Sequence, residues 1–232
     1  MGRFVESGEY AGASIGYRLT DEAQWPAQIH DCKAAIRWIR GHAAELGLDP
    51  DRIGVTGSSA GGHLALLLGT SGGVAALEGS IGGHTDQPSG VTCVVNYCGP
   101  SDLLVGLFTD ERSQQPDPAV VGLLGGQPAD LPERARAASP VSHVGPDDPP
   151  VLTLHGTRDE RVDFRHAEII DAALEKAGVA SVLVPVVGAG HSIPSPPELL
   201  DRVANFWKRH LRDEPVEIPT TPIEATAATA VR

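Results

Sequence analysis

Ile53-Gly54-Val55-Thr56-Gly57-Ser58-Ser59-Ala60-Gly61-Gly62-His63-Leu64-Ala65-Leu66-Leu67-Leu68 decides the fold. Ile53 to Thr56 reads as a short buried strand, and the apolar run from His63 to Leu68 as a buried helix. Between them stand small residues that tolerate a sharp reversal of the chain. A strand that turns at once into a helix is a building unit of helix-covered parallel sheets.

Outward from that stretch the same alternation continues. Upstream, Ala11 to Tyr17 reads as a strand, and a helix starts near Pro26, where a missing N–H costs nothing. Ile29, Cys32, Ile36 and Ile39 recur at three- and four-residue spacing, one apolar stripe facing a sheet. Gly47 is expected to end that helix, with a turn at Asp49-Pro50-Asp51. Downstream, Val91 to Tyr97, Val151 to His155 and Ser181 to Val187 read as strands. Pro185 places the last of them at a sheet edge, because proline cannot donate to the ladder. Helices are expected from about Phe164 to Ala177 and from Pro197 to His210. Asp102 to Asp148 is proline-rich and weakly periodic, an irregular excursion whose one aromatic residue is Phe108. Asp213 to Arg232 is rich in Pro, Thr and Ala and reads as a mobile tail.

Gly57-Ser58-Ser59-Ala60-Gly61 is a G-x-S-x-G pattern, and its strand-to-helix context gives it meaning. Such a turn holds Ser59 in a strained conformation and leaves its hydroxyl exposed at the carboxyl edge of the sheet. Flanking glycines relieve the crowding. The free N–H groups of the helix start, that of Ala60 first, favour developing negative charge.

A hydroxyl needs a base to become a nucleophile. Of the nine histidines, His191 sits in a glycine loop just after the last long strand. His30, His166 and His210 fall within helices and read as solvated. His155 ends a strand and reads as a packed, hydrogen-bonded core residue, while His63 is too close to Ser59 in the chain. To orient the base, Asp159 follows the strand ending at His155. Asp102 is its main rival, with Glu160 and Asp163 behind. The turn after the strand ending at His155 would lie next to the histidine loop, which favours Asp159, and the chain order Ser…Asp…His is that expected with this motif.

Composition excludes several other classes. The 232 residues suit one α/β domain, or at most two small ones. No apolar run approaches a membrane span, and a net charge of −12 argues against nucleic acid as partner. Cys32, Cys93 and Cys98 read as buried packing residues, and Trp25, Trp38 and Trp207 as core. No spacing of His, Cys and Asp marks a metal site, no phosphate-binding loop ends in Gly-Lys-Ser or Gly-Lys-Thr, and no cofactor is implied. The start lacks the apolar stretch of a signal peptide, which by default implies the cytoplasm.

These residues resemble the esterase/lipase branch of the α/β-hydrolase superfamily, with its hormone-sensitive-lipase-like, acetyl-xylan and feruloyl esterases and kynurenine formamidase. The matching text is Tyr17-Arg18-Leu19, Trp25 to Asp31, Leu48 to Ile53, Gly57 to Ala65, His155 to Asp159 and Gly190-His191-Ser192. The similarity spans about residues 3 to 211. It implies an α/β-hydrolase domain over residues 1–212, a mostly parallel sheet flanked by helices, and Ser59, Asp159 and His191 as nucleophile, acid and base. The implied substrate is a small-molecule ester. A peptidase of the same fold and a catalytically impaired relative stay open as alternatives.

The front of the chain departs from the pattern. Family members carry further strands there and a His-Gly-Gly-type loop that supplies half the oxyanion hole; nothing like it precedes Gly8. The expectation is therefore an N-terminally shortened fold: a fragment, a mis-called start, or a variant that closes its sheet differently. In any of these, the compartment is open. A sheet edge exposed in this way would encourage a homodimer.

Overall fold

The computed structural model describes residues 2–107, 115 and 117–225. Its elements in chain order are α1 (Gly2–Glu6), α2 (Ala27–Gly41), α3 (Ala43–Leu46), β1 (Gly54–Ser58), α4 (Ala60–Thr70), α5 (Ala75–Glu78), β2 (Cys93–Tyr97), α6 (Pro118–Leu124), α7 (Pro132–Ala137), a 3₁₀ turn at Pro140–His143, β3 (Val151–Gly156), α8 (Arg165–Ala177), β4 (Ser181–Val187), α9 (Pro197–Arg212) and β5 (Ile223–Glu224). The five strands lie in the order β1-β2-β3-β4-β5, and every neighbouring pair is parallel. All their carboxyl ends therefore fall at one rim.

Side-chain alternation along the central strands sends residues to two cores. Val94 and Val151 join Ile29, Ile36, Leu64, Leu67, Ile170 and Leu174 from α2, α4 and α8 on one face. Cys93, Val95, Leu152 and Leu154 join Leu199, Val203, Phe206 and Trp207 of α9 on the other. A sheet buried on both faces needs apolar side chains at nearly every position, and β3 is buried throughout. Within the stripe of α2 sits a charge that the periodicity did not anticipate. Lys33 is fully buried, and its ammonium donates to the Ser71 carbonyl (2.7 Å) and the Glu78 carboxylate (2.6 Å). Ser89 donates to the other Glu78 oxygen. This pairing satisfies a charge whose burial would otherwise be costly.

Several expectations are corrected. Ala11 to Tyr17 is not a strand. A strand persists only where neighbouring backbone takes up its N–H and C=O groups, and among the described residues none pairs with it. Side-chain contacts hold the segment instead: the Arg18 N–H and guanidinium donate to Asp31 of α2 at 2.8–3.2 Å. β1 is consequently an edge strand. The Ile53 carbonyl accepts from Thr92 N–H and the Ser59 N–H donates to Tyr97, so alternation turns the main-chain groups of Gly54, Thr56 and Ser58 outward. No strand among the described residues covers them.

The helix starting after Pro26 breaks at Gly41, and the following turn, α3, ends at Gly47 with φ +68. Trp38 is 46% exposed rather than core, because it lies about 200° around α2 from Ile36; its ring stacks on His42 (4.2 Å between centroids). His166, expected in solvent, is fully buried. The Ser101 N–H donates to its Nδ1 (3.3 Å), and burial pulls its pKa down to about 4.

Pro185 lies inside the sheet, one strand in from the edge. Val186 turns its carbonyl to β3 and Val187 to β5, so position 185 faces outward, below the two residues that β5 covers. The stretch after Asp213, expected as a tail, is packed as far as Ala225. Arg202 donates to the carbonyls of Pro219 and Thr221, and Ile223 is buried. Phe108 and residues 226–232 lie outside the described residues. Among the described residues, no helix is long and apolar enough to cross a membrane.

Candidate active site

Ser59 follows β1 directly, at φ 56 and ψ −120, in the left-handed half of backbone space where a residue with a Cβ is strained. The neighbours show why the turn can be so tight. A Cβ on Gly57 would lie 2.2 Å from the Gly61 carbonyl oxygen, and one on Gly62 would lie 2.6 Å from Asn96 Oδ1. A Cβ on Gly61 would meet nothing within 4 Å. The crowding therefore falls on Gly57 and Gly62, and not on the closing glycine of the five-residue motif. Asn96 completes the fit by accepting the Gly99 N–H (3.0 Å), which fixes the turn beyond β2 against the start of α4.

Three strand ends bring the expected side chains together. Ser59 comes from β1, Asp159 from the turn after β3, and His191 from the loop after β4. His191 Nε2 stands 3.0 Å from Ser59 Oγ, and its Nδ1 stands 2.8 Å from Asp159 Oδ2. The other Asp159 oxygen accepts the N–H groups of Arg161 and Val162, both at 2.9 Å. Asp159 is fully buried. Desolvation pushes its pKa up, but the donors from His155, His191 and the two backbone N–H groups outweigh it and hold the carboxyl below its usual range. The Asp159 carboxylate in turn is the main cause of a rise in the His191 pKa to about 9. Ala60 occupies the first position of α4, where its N–H has no acceptor within the helix.

The rivals are engaged elsewhere. Asp102 Oδ1 accepts the Leu104 N–H (2.9 Å) in a local turn. Asp163 accepts the Arg165 N–H at the start of α8. Glu160 is exposed and lines an open groove of about 680 Å³ beside His191, with Asp117, Arg158 and Arg161. His63 is buried and bonded to the Ala138 carbonyl (2.7 Å).

One participant escaped the sequence reading in part. His155 is the packed, hydrogen-bonded residue expected: its Nε2 meets the Val162 carbonyl at 2.8 Å. The same nitrogen also lies 3.3 Å from Asp159 Oδ2, so one N–H serves both acceptors. The four-residue spacing from His155 to Asp159 was the available signal. Replacing His155 by Phe should keep the fold and loosen Asp159. A bond to a charged group contributes about 1.5–3 kcal/mol, so turnover should fall about tenfold or more. Steady-state kinetics beside a thermal melt would check this; unchanged kinetics would reduce His155 to packing.

The family profile described as BD-FAE matches residues 1–174. The chain belongs to the BD-FAE family. That match includes Ser59 and Asp159 and stops short of His191. Among curated relatives, this BD-FAE chain is 36% identical over 183 residues to Esterase LipQ of Mycobacterium tuberculosis, covering 78% of the chain and 42% of LipQ. It is 33% identical over 159 residues to the probable carboxylic ester hydrolase LipM of the same organism, covering 66% of the chain and 35% of LipM. The chain thus spans less than half the length of these relatives. Among solved structures, a truncated form of carbohydrate esterase from gut microbiota superposes with a TM-score of 0.78 at 31% identity, over 86% of this chain and 73% of that one. A bifunctional GH43-CE protein of Bacteroides eggerthii gives a TM-score of 0.82 at 33% identity, over 90% and 28%. The fold is that of the α/β-hydrolases, in their esterase/lipase branch.

Proposed function

We propose that this chain is a serine carboxylic-ester hydrolase acting on short-chain or small acyl esters. The observation that carries the reading is His191 standing between Ser59 Oγ and Asp159 Oδ2, at 3.0 and 2.8 Å. His191 Nε2 takes the Ser59 proton as the hydroxyl oxygen attacks the ester carbonyl. Asp159 holds the ring so that Nδ1 carries its hydrogen, and stabilises the imidazolium that forms. The Ala60 N–H donates to the oxyanion. His191 returns the proton to the departing alcohol, leaving an acyl-enzyme on Ser59. Water, deprotonated by His191, then releases the acid.

Among the described residues, the groove beside His191 is lined by Asp117, Arg158, Glu160 and Arg161 and by no large apolar side chain. Such a wall suits a polar alcohol portion better than a long acyl chain. Likeness to a solved carbohydrate esterase supports a sugar as that alcohol, and so an acylated sugar as the substrate.

The test compares a short-chain nitrophenyl ester with the matching anilide, beside labelling by a fluorophosphonate probe. Ester cleavage with the label on Ser59 is expected. Anilide cleavage at an equal rate would make the chain an amidase. A folded protein that neither labels nor cleaves either substrate would overturn the reading.

A further inference from the structure

Cys98 follows β2 as Ser59, Asp159 and His191 follow β1, β3 and β4, so all four stand at the same rim. It is fully buried, at φ +42, with its Sγ 3.7 Å from Ser58 Oγ and 3.5 Å from the His191 carbonyl oxygen. One ligating atom each from Cys98, Asp159 and His191 lie within 4.8 Å of one another. No sequence spacing announces this set, because its members come from three separate strand ends.

We propose that Cys98, Asp159 and His191 form a binding site for a thiophilic divalent cation of the zinc type, and that occupying it switches the hydrolase off. The donor set decides the class of ion. A thiolate, an imidazole and a carboxylate match zinc and its neighbours and suit magnesium or calcium poorly. Zinc–ligand bonds of about 2.0–2.3 Å put two ligands of a tetrahedral ion roughly 3.3–3.7 Å apart. His191 Nδ1 and Asp159 Oδ2 are now at 2.8 Å, so the pair must open slightly while the sulfur closes in. The His191 loop begins at Gly188 with φ +79, backbone that glycine adopts without strain. The imidazole is a quarter exposed, which gives the ion its entry. Three protein ligands leave the fourth position to water.

Proton balance gives the consequence. The Cys98 thiol releases its proton to solvent as the metal–sulfur bond forms. Asp159 is already ionised. If the metal takes Nε2 of His191, the lone pair that would accept the Ser59 proton is gone. If it takes Nδ1, the ring hydrogen moves to Nε2 and removes the same lone pair. Either way the base is lost without a change of fold. The switching half of the proposal rests on the hydrolase reading above, and the binding half does not.

The test titrates the metal-free protein with Co²⁺ and records the thiolate-to-cobalt charge-transfer absorption, then repeats this with Cys98→Ser. The band should appear in the parent and vanish in the variant. Cys32 and Cys93 are also buried, so a band that survives Cys98→Ser, or one that never appears, would overturn the site. Zn²⁺ should inhibit ester turnover in the parent, with recovery on adding a chelator. Inhibition of Cys98→Ser should need at least about tenfold more Zn²⁺, the minimum expected when a directly bound ligand is lost. Equal sensitivity in the two proteins, or a cobalt band with no effect of Zn²⁺ on turnover, would overturn the switch. A parent protein that binds Co²⁺ through sulfur yet cleaves no ester would sink the hydrolase reading and leave the metal site standing.

Discussion

Ser59→Ala is expected to abolish ester turnover and fluorophosphonate labelling while the protein stays folded. Removing the nucleophile of a serine triad lowers kcat by about 10⁶-fold, and the residual rate comes from binding and the oxyanion donor alone. The fold should survive because Ser59 makes its structural contacts through the main chain. Its N–H donates to the Tyr97 carbonyl (2.9 Å), and its carbonyl accepts the His63 N–H (2.9 Å). Alanine keeps a Cβ and so meets the same backbone strain at φ 56. The adjacent serine is the natural control: Ser58 Oγ faces Cys98 and not His191, so Ser58→Ala should retain both turnover and label. The measurement is kcat for a nitrophenyl ester in the three proteins, with melts alongside. Turnover by Ser59→Ala equal to the parent's would remove Ser59 from the chemistry.

Much of this candidate site was legible because its side chains sit at strand ends, and strand ends are marked in sequence. Ile53 to Thr56 followed by Gly-Ser-Ser-Ala-Gly located the elbow. Ser181 to Val187 followed by Gly-Ala-Gly-His located the histidine loop, with strand bounds that match β4. What the sequence could not supply was pairing. Ala11 to Tyr17 has a strand-like composition but no neighbour among the described residues. Lys33 lies far from Glu78 in sequence yet meets it at 2.6 Å, so it did not look like a core residue. The metal-type cluster at Cys98 and the double acceptor of His155 were hidden for the same reason, since each depends on loops that meet only after folding. Gly62 shows a further limit. The five-residue motif stops at Gly61, whereas the steric demand comes from Asn96 on a different strand.

Asp159→Asn is the second large effect, and it separates the charge of the acid from its shape. Loss of a buried triad carboxylate lowers kcat by about 10⁴-fold in serine hydrolases, because the imidazole is no longer held in the right tautomer or stabilised when protonated. The pH profile should move as well. In the parent, the Asp159 carboxylate first and Cys98 second raise the His191 pKa from the ordinary 6.5 to about 9. Only neutral imidazole can accept the serine proton, so kcat/KM should climb with pH and level off only above about 9. Without the carboxylate charge, that limb should shift back down toward 6.5, a change that misfolding would not produce. A limb at the same pH in both proteins would show that His191 does not feel Asp159. Stability runs the other way. The raised pKa of His191 stabilises the fold fully below 6.5, and that contribution disappears as pH rises through about 9. The depressed pKa of Asp159 stabilises the fold above its ordinary 3.8 and is lost as pH falls through its folded value. The ion pair therefore supports the fold most between about 3.8 and 6.5, on the acid side of the range in which the same histidine can act as a base.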